Sequence, residues 1–247
     1  MSTEPQQALP DRRTMLRGLG GAFATLLAPG VTLYAFGAND AQAQASPKVR
    51  WALLIDLGKC PAGCDLCVTA CREENGWQGN GRAETDAQWI RKVRLRDART
   101  GQDREVPVMC QHCDKPACVD VCPTGASFKR PDGIVLVDKH ICIGCRFCMM
   151  ACPYKARSFV HEPVTDQKPW APRGKGTVEG CTLCVHRLDA GRPPACVETC
   201  AAKGGGAMLF GDLNDPGSEI AKAVARHAPA QIRSDLGLEP AVRYRNL

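Results

Sequence analysis

Sixteen cysteines in four similar groups constrain this chain more than any other feature of its 247 residues. The groups are Cys60, Cys64, Cys67, Cys71; Cys110, Cys113, Cys118, Cys122; Cys142, Cys145, Cys148, Cys152; and Cys181, Cys184, Cys196, Cys200. Each closes on Cys-x3-Cys, and no cysteine stands outside them. The third reads Cys-x2-Cys-x2-Cys-x3-Cys-Pro, and the second also ends in Cys-Pro. Aromatic residues make up only 5% of the chain, against 24 Gly and 18 Pro, which is poor material for a large apolar core. Something other than hydrophobic burial must organise much of the chain. The composition argues against an all-helical bundle, a collagen-like fibre and a polytopic membrane protein.

The spacing is that of iron–sulfur ligands in bacterial ferredoxins. A cubane needs four thiolates around a compact core. Three cysteines on one tight loop wrap three irons. The fourth, after three intervening residues, starts a helical turn and points toward a neighbouring cluster, and the proline fixes the turn that follows it. Disulfides are common in exported chains but do not require four repeats of this spacing. Zinc explains paired Cys-x2-Cys but not three-cysteine loops followed by Cys-Pro. Both remain as alternatives of a different class: a non-redox interaction protein stapled by disulfides or binding zinc.

Residues 105–160 read as a complete two-cluster unit, with Pro131-Asp132-Gly133 turning a β-hairpin between the two quartets. The first and fourth quartets flank that unit, and the economical reading makes them the halves of a second one, 46–104 and 161–247, split by the first. Exchange of the last thiolate within each pair then gives four ligand sets: Cys60, Cys64, Cys67 with Cys200; Cys181, Cys184, Cys196 with Cys71; Cys110, Cys113, Cys118 with Cys152; and Cys142, Cys145, Cys148 with Cys122. The expected fold is α+β, two pseudo-symmetric ferredoxin-like units of small hairpins and short helices around four [4Fe-4S] clusters. Val49 to Leu57 reads as an apolar strand. Lys92 to Arg96 alternates, which puts Val93 and Leu95 inward and the basic residues on a solvated face. Residues 163–178 read as a loop, and Gly204-Gly205-Gly206 as a turn. Ser218 with Glu219 starts a helix running to about Ala228. His112, between two cysteines, suits either a hydrogen bond near sulfur or simple packing.

Residues 1–45 read as a leader. Arg12-Arg13 precedes a weakly apolar run from Leu19 to Phe36, followed by Ala-Gln-Ala-Gln-Ala, where small alternate residues suit cleavage after Ala43 or Ala45. This is the pattern of a twin-arginine signal, a route that carries folded proteins, with a retained anchor as the alternative. No apolar run after residue 46 approaches spanning length. The expected location is therefore periplasmic, peripheral to the membrane and attached through a partner.

No catalytic constellation, phosphate loop or complete dinucleotide fingerprint is present. With every cluster corner filled by cysteine, one-electron transfer remains, and a wire needs a donor and an acceptor. The formal charge of +6 survives removal of the leader, where Arg12, Arg13 and Arg17 balance Glu4, Asp11 and Asp40. Four oxidised cubanes with their thiolates contribute roughly −8, so the basicity is no sign of nucleic-acid binding.

The quartets, together with Gln111-His-Cys-Asp-Lys-Pro-Ala-Cys118, Cys122-Pro-Thr-Gly-Ala-Ser-Phe-Lys-Arg130, Pro194-Ala-Cys-Val-Glu-Thr-Cys200 and Phe210-Gly-Asp-Leu-Asn-Asp-Pro-Gly-Ser-Glu219, resemble the four-cluster iron–sulfur subunits of respiratory oxidoreductases. The enlarged gap Cys60-Pro-Ala-Gly-Cys64, with Trp89-Ile-Arg-Lys-Val93, Ile143-Gly-Cys-Arg-Phe-Cys148 and Lys155-Ala-Arg-Ser-Phe159, is most similar to the DsrO type of the DsrMKJOP complex of sulfur metabolism. Ala201 departs from the proline common at that place in the class, and Ala201 to Gly206 resembles an expanded turn. The resemblance implies four [4Fe-4S] clusters with exchanged thiolates. It also implies an NrfD-type quinone-interacting membrane subunit as partner, and a multihaem cytochrome c or a molybdopterin catalytic subunit as the second. It implies an electron-transfer subunit with no catalysis of its own.

Overall fold

Trp51–Asp56 forms strand β3, the centre of the largest sheet. The computed structural model describes residues 45–247 other than 83 and 97, together with the backbone of two paired antiparallel strands, β1 (Ala24–Ala28) and β2 (Val31–Tyr34). The rest of the expected leader, with Arg12-Arg13, lies outside the described residues. Among these no helix is long and apolar enough to cross a membrane.

β3 is buried on both faces because two elements cover it. Leu53 and Ile55 point into the core that contains Cys67, Cys71, Cys196 and Cys200. Ala52 and Leu54 point the other way, onto Ile220. Strand alternation alone produces this division. β10 (Met208–Asp212) lies antiparallel to β3 with Leu53 opposite Phe210, and β11 (Val242–Arg245) lies parallel to it on the other edge. Ile220 belongs to a helix over Glu219–His227, labelled α6 below; the Ser218 hydroxyl accepts from the Ala221 N–H at its start (3.2 Å), as the sequence leads one to expect.

β4 (Ile90–Arg96) and β5 (Asp103–Met109) form a two-stranded ribbon. Its near end, with Ile90, Val106 and Met109, enters the core, and Val93 packs on it. The far end corrects the expected alternation. Leu95, opposite Arg104, is 39% exposed, because the ribbon has run past everything that could cover it. The basic side chains are not a uniform solvated face either. Arg91 donates to the Tyr154 carbonyl (2.6 Å) and Lys92 to that of Cys64 (2.6 Å).

The expected hairpin is β6 (Ser127–Lys129) with β7 (Val135–Val137). Gly133 turns it at φ +86°, where a Cβ would meet the Arg50 guanidinium that donates to the Gly133 and His112 carbonyls. β8 (Ser158–Phe159) pairs with β9 (Val178–Glu179) around the expected loop. The cysteine-bearing helices are α1 (Leu66–Asn75), α2 (Ala117–Asp120), α3 (Phe147–Ala151) and α5 (Ala195–Lys203), and α4 (Val185–Leu188) starts directly after Cys184. α1 packs on α5, and α2 on α3. The observed class is mixed α and β with small sheets.

Candidate iron–sulfur centres

α1 presents Cys67 and Cys71 one turn apart on its buried side, and α5 does the same with Cys196 and Cys200. Packing α1 on α5 brings the first and fourth quartets together. Cys67, whose thiol burial pushes up to about 11, has Cys60, Cys200 and Cys64 as neighbouring sulfurs. Cys60 has Cys64 and Cys200. The Lys92 ammonium lies beside them and is paired with Glu105 (3.0 Å).

A second group forms behind α1. Burial pushes Cys71 up to about 12, against hydrogen bonds to its sulfur from Trp77 Nε1 (3.4 Å) and Asn75 Nδ2 (3.7 Å). Cys196 is raised well above the usual thiol range by burial and by Cys71 and Cys184. Cys71, Cys181, Cys184 and Cys196 line one tight pocket, with Leu53 and Trp89 in its wall. The Leu183 N–H donates to Cys181 Sγ (3.4 Å). Cys181 also touches the next group: it packs against both main apolar cores, and Cys110 is among its neighbouring sulfurs.

The middle quartets sit around α2 and α3. Burial pushes Cys110 up to about 12, with Cys118 and Cys152 adding to the rise; Cys113 goes to about 11 for the same reason and beside the same two sulfurs. Cys148, raised by burial, has Cys118, Cys142 and Cys122 nearby. Cys122 is exceptional. Although burial pushes its thiol up, the Ser127 N–H (3.3 Å) and Thr124 more than offset it, and the net shift is downward. The Val178 N–H donates to Cys142 Sγ (3.5 Å). Cys145 is exposed, as are Ile143, Phe147 and Met150 around it. Gly144 (φ +70°) lets that loop lie on the Gly176 carbonyl, which a Cβ would strike.

All sixteen cysteines are free, so no disulfide staples the fold. Among the described residues no three His, Cys, Asp or Glu side chains converge as a single ion requires; a zinc with Zn–S of about 2.3 Å needs its sulfurs nearly in contact. Buried thiols with raised pKa values are costly as bare thiolates. Grouped around a cavity and met by N–H donors, they fit a polynuclear cation that carries its own sulfide.

His112 is fully buried, and burial lowers its imidazole to about 3, so it is neutral. Its Nδ1 accepts from the Val135 N–H (3.0 Å), which ties the second quartet to the hairpin, and its Nε2 is buried with no hydrogen-bond partner among the described residues. The sulfur contacts that sequence reasoning missed are Trp77, Asn75 and Arg157. Arg157 Nη2 donates to Cys118 Sγ (3.2 Å) and Ser127 Oγ (3.0 Å). Burial lowers this guanidinium, and Cys118, Cys110 and Cys148 more than offset the effect. The only signal was the run Lys155 to Phe159, which carried no hint of its sulfur contact.

The 4Fe-4S dicluster domain family matches residues 104–213, taking in the second, third and fourth quartets. Over 227 residues the chain is 42% identical to the Hdr-like menaquinol oxidoreductase iron-sulfur subunit 1 of Archaeoglobus fulgidus, covering 81% of this chain and 84% of that protein. The chain belongs to this family of iron–sulfur subunits. Other members include a tetrathionate reductase subunit of Salmonella typhimurium, 41% identical with 83% and 75% covered, and the protein NrfC of Escherichia coli, 38% identical with 78% of each covered. Membership and the sixteen cysteines support iron–sulfur clusters in this subunit.

Proposed function

We propose that the chain is a periplasmic electron-transfer subunit, relaying single electrons through four [4Fe-4S] clusters between an NrfD-type quinone-interacting membrane subunit and a second redox partner. When bound, each cubane takes up and releases one electron. The chain's own residues ligate it, exclude water and direct N–H groups at its sulfurs. The observation that carries the reading is the sorting of the sulfurs. Cys200 lies with Cys60, Cys64 and Cys67, while Cys71 lies with Cys181, Cys184 and Cys196. Cys152 lies beside Cys110 and Cys113, and Cys122 and Cys142 both lie beside Cys148. These neighbourhoods support the four exchanged ligand sets. The packing of α1 on α5 and of α2 on α3 supports two pseudo-symmetric units, one (105–160) inserted between the halves of the other.

Cys181, between the two pairs, is the natural inner junction, and exposed Cys145 the natural outer terminal, where the apolar Ile143, Phe147 and Met150 suit a partner's surface. The complex is of DsrMKJOP type, with a multihaem cytochrome c; the motifs around Cys60–Cys64 and Trp89–Val93 and the likeness to an iron–sulfur protein of a menaquinol oxidoreductase support this. The likeness to the tetrathionate reductase protein favours a second reading, in which the partner is a molybdopterin reductase. Co-purification from solubilised membranes separates the two. A cytochrome c is expected; a molybdopterin subunit without it overturns the first reading. Iron and acid-labile sulfide analysis should give about sixteen of each per chain, and a colourless, zinc-bearing protein would sink both readings. Export by the twin-arginine route rests on Arg12-Arg13 and the run to Phe36. Replacing both arginines by lysine should leave the protein in the cytoplasm, and normal export of that variant would refute the route.

A further inference from the structure

Among the described residues three arginines are nearly fully buried: Arg157, Arg173 and Arg187. Two have carboxylates to meet. Arg173 holds Glu179 through Nε and Nη2, both at 2.8 Å, and Arg187 reaches Glu74 (3.0 Å) and Glu198 (2.9 Å). Arg157 makes no ion pair with a carboxylate among the described residues. A buried cation without an anion is not retained cheaply, so its compensation must come from what lies around it. What lies around it is sulfur. Nη2 donates to Cys118 Sγ at 3.2 Å, Cys110 and Cys148 are the next sulfurs that act on it, and the buried Lys139 ammonium is a second cation nearby. Cys110 and Cys118 belong to one proposed ligand set and Cys148 to the other, so one guanidinium faces both. The Ser127 hydroxyl accepts from the same nitrogen at 3.0 Å and fixes it there. Gly180 leaves room behind it: a Cβ there would lie 2.7 Å from the Ala156 carbonyl and 3.6 Å from Arg157 Cδ.

We propose that Arg157 is the shared counter-charge of the two clusters held by residues 110–152, and that it raises both their reduction potentials together. The inference rests on the iron–sulfur reading above. Adding an electron makes a thiolate-ligated cluster more negative. A fixed positive charge in water-poor surroundings stabilises the reduced form more than the oxidised form, and a hydrogen bond to sulfur acts in the same direction. The cations near the other two ligand sets cannot do this as strongly. Lys92 is neutralised by Glu105, and Arg187 by Glu74 and Glu198.

The test is an EPR-monitored redox titration of the intact holoprotein with Arg157→Gln and Arg157→Lys. The unaltered protein, with about sixteen irons and four cluster signals, tests the iron–sulfur reading first; fewer clusters would count against that reading before any variant is made. In R157Q two of the four midpoints should move down and two should stay. In R157K, where the charge is kept, both should return most of the way. No movement, movement of one midpoint only, or equal movement of all four overturns the shared counter-charge. If R157Q loses metal, iron content decides. About eight irons lost in R157Q with full content in R157K supports a charge role, whereas equal loss in both variants shows packing and overturns the proposal.

Discussion

The quartets at 110–152 and those at 60–71 and 181–200 surround their sulfurs differently. The middle pair is local in sequence, built on the two short helices α2 and α3, and carries a buried guanidinium beside its sulfurs with no carboxylate on it. The flanking pair is assembled from distant segments by α1 packing on α5 under β3. Its nearby cations are already matched by Glu105, Glu74 and Glu198, and the side-chain donors to Cys71 are the neutral Trp77 and Asn75. Both pairs sit in apolar cores, and the middle one adds a buried guanidinium that no carboxylate meets among the described residues. Equal ligand sets therefore need not have equal potentials or equal tolerance to mutation.

The largest break in that comparison comes from the crossed ligands. Cys200→Ala should remove about four irons, from the set of Cys60, Cys64 and Cys67, and Cys152→Ala should do the same to that of Cys110, Cys113 and Cys118. Iron and sulfide counts check this, and full retention in either variant defeats the exchange. Next in size, Leu53→Ala opens a hole beneath the flanking pair, where Leu53 is 1% exposed. It should cost about 2–5 kcal/mol in denaturant unfolding. The flanking clusters should bleach before the middle ones, and simultaneous bleaching would show that the two pairs do not differ in this way.

Smaller and more selective is Trp77→Phe, which deletes the 3.4 Å N–H contact to Cys71 while keeping most of the ring. One flanking midpoint should fall, by less than the shift in R157Q, with no change in the middle pair. The smallest effect on the protein itself is expected from Met150→Glu, at a side chain 73% exposed beside Cys145. Stability should change by at most about 0.5 kcal/mol, while stopped-flow electron exchange with the co-purified partner should slow. An unchanged rate would place the terminal elsewhere.

Local patterns in this chain were readable, and convergences were not. The hairpin at 127–137, the helix capped by Ser218 and the strand after Val49 each carry a signal within a few residues: a Pro-Asp-Gly turn, a hydroxyl cap, an apolar run. The four quartets are equally local. By contrast, no sequence pattern announces that Arg157 reaches Cys118, or that Trp77 aims its indole N–H at Cys71, because both depend on how loops return to the core. Leu95 shows the opposite failure. Its alternation was regular, but alternation says which side a residue takes and not whether anything covers that side. Lys92 looked like one more surface charge until the ribbon laid it against the Cys64 carbonyl.

The parallel pairing of β11 on β3 carries a temporal consequence. Tyr244 in β11 is fully buried, donates to the Pro107 carbonyl (3.0 Å) and accepts from Gln111. A growing chain cannot complete that edge of β3 until residue 245 has been made, whereas the segment 110–152 is whole well before then. Yet that segment waits as well: the Asp114 and Lys115 N–H groups donate to the Glu239 and Leu238 carbonyls and the Ala241 N–H to the Gln111 carbonyl, so the same late-made stretch of chain finishes both regions.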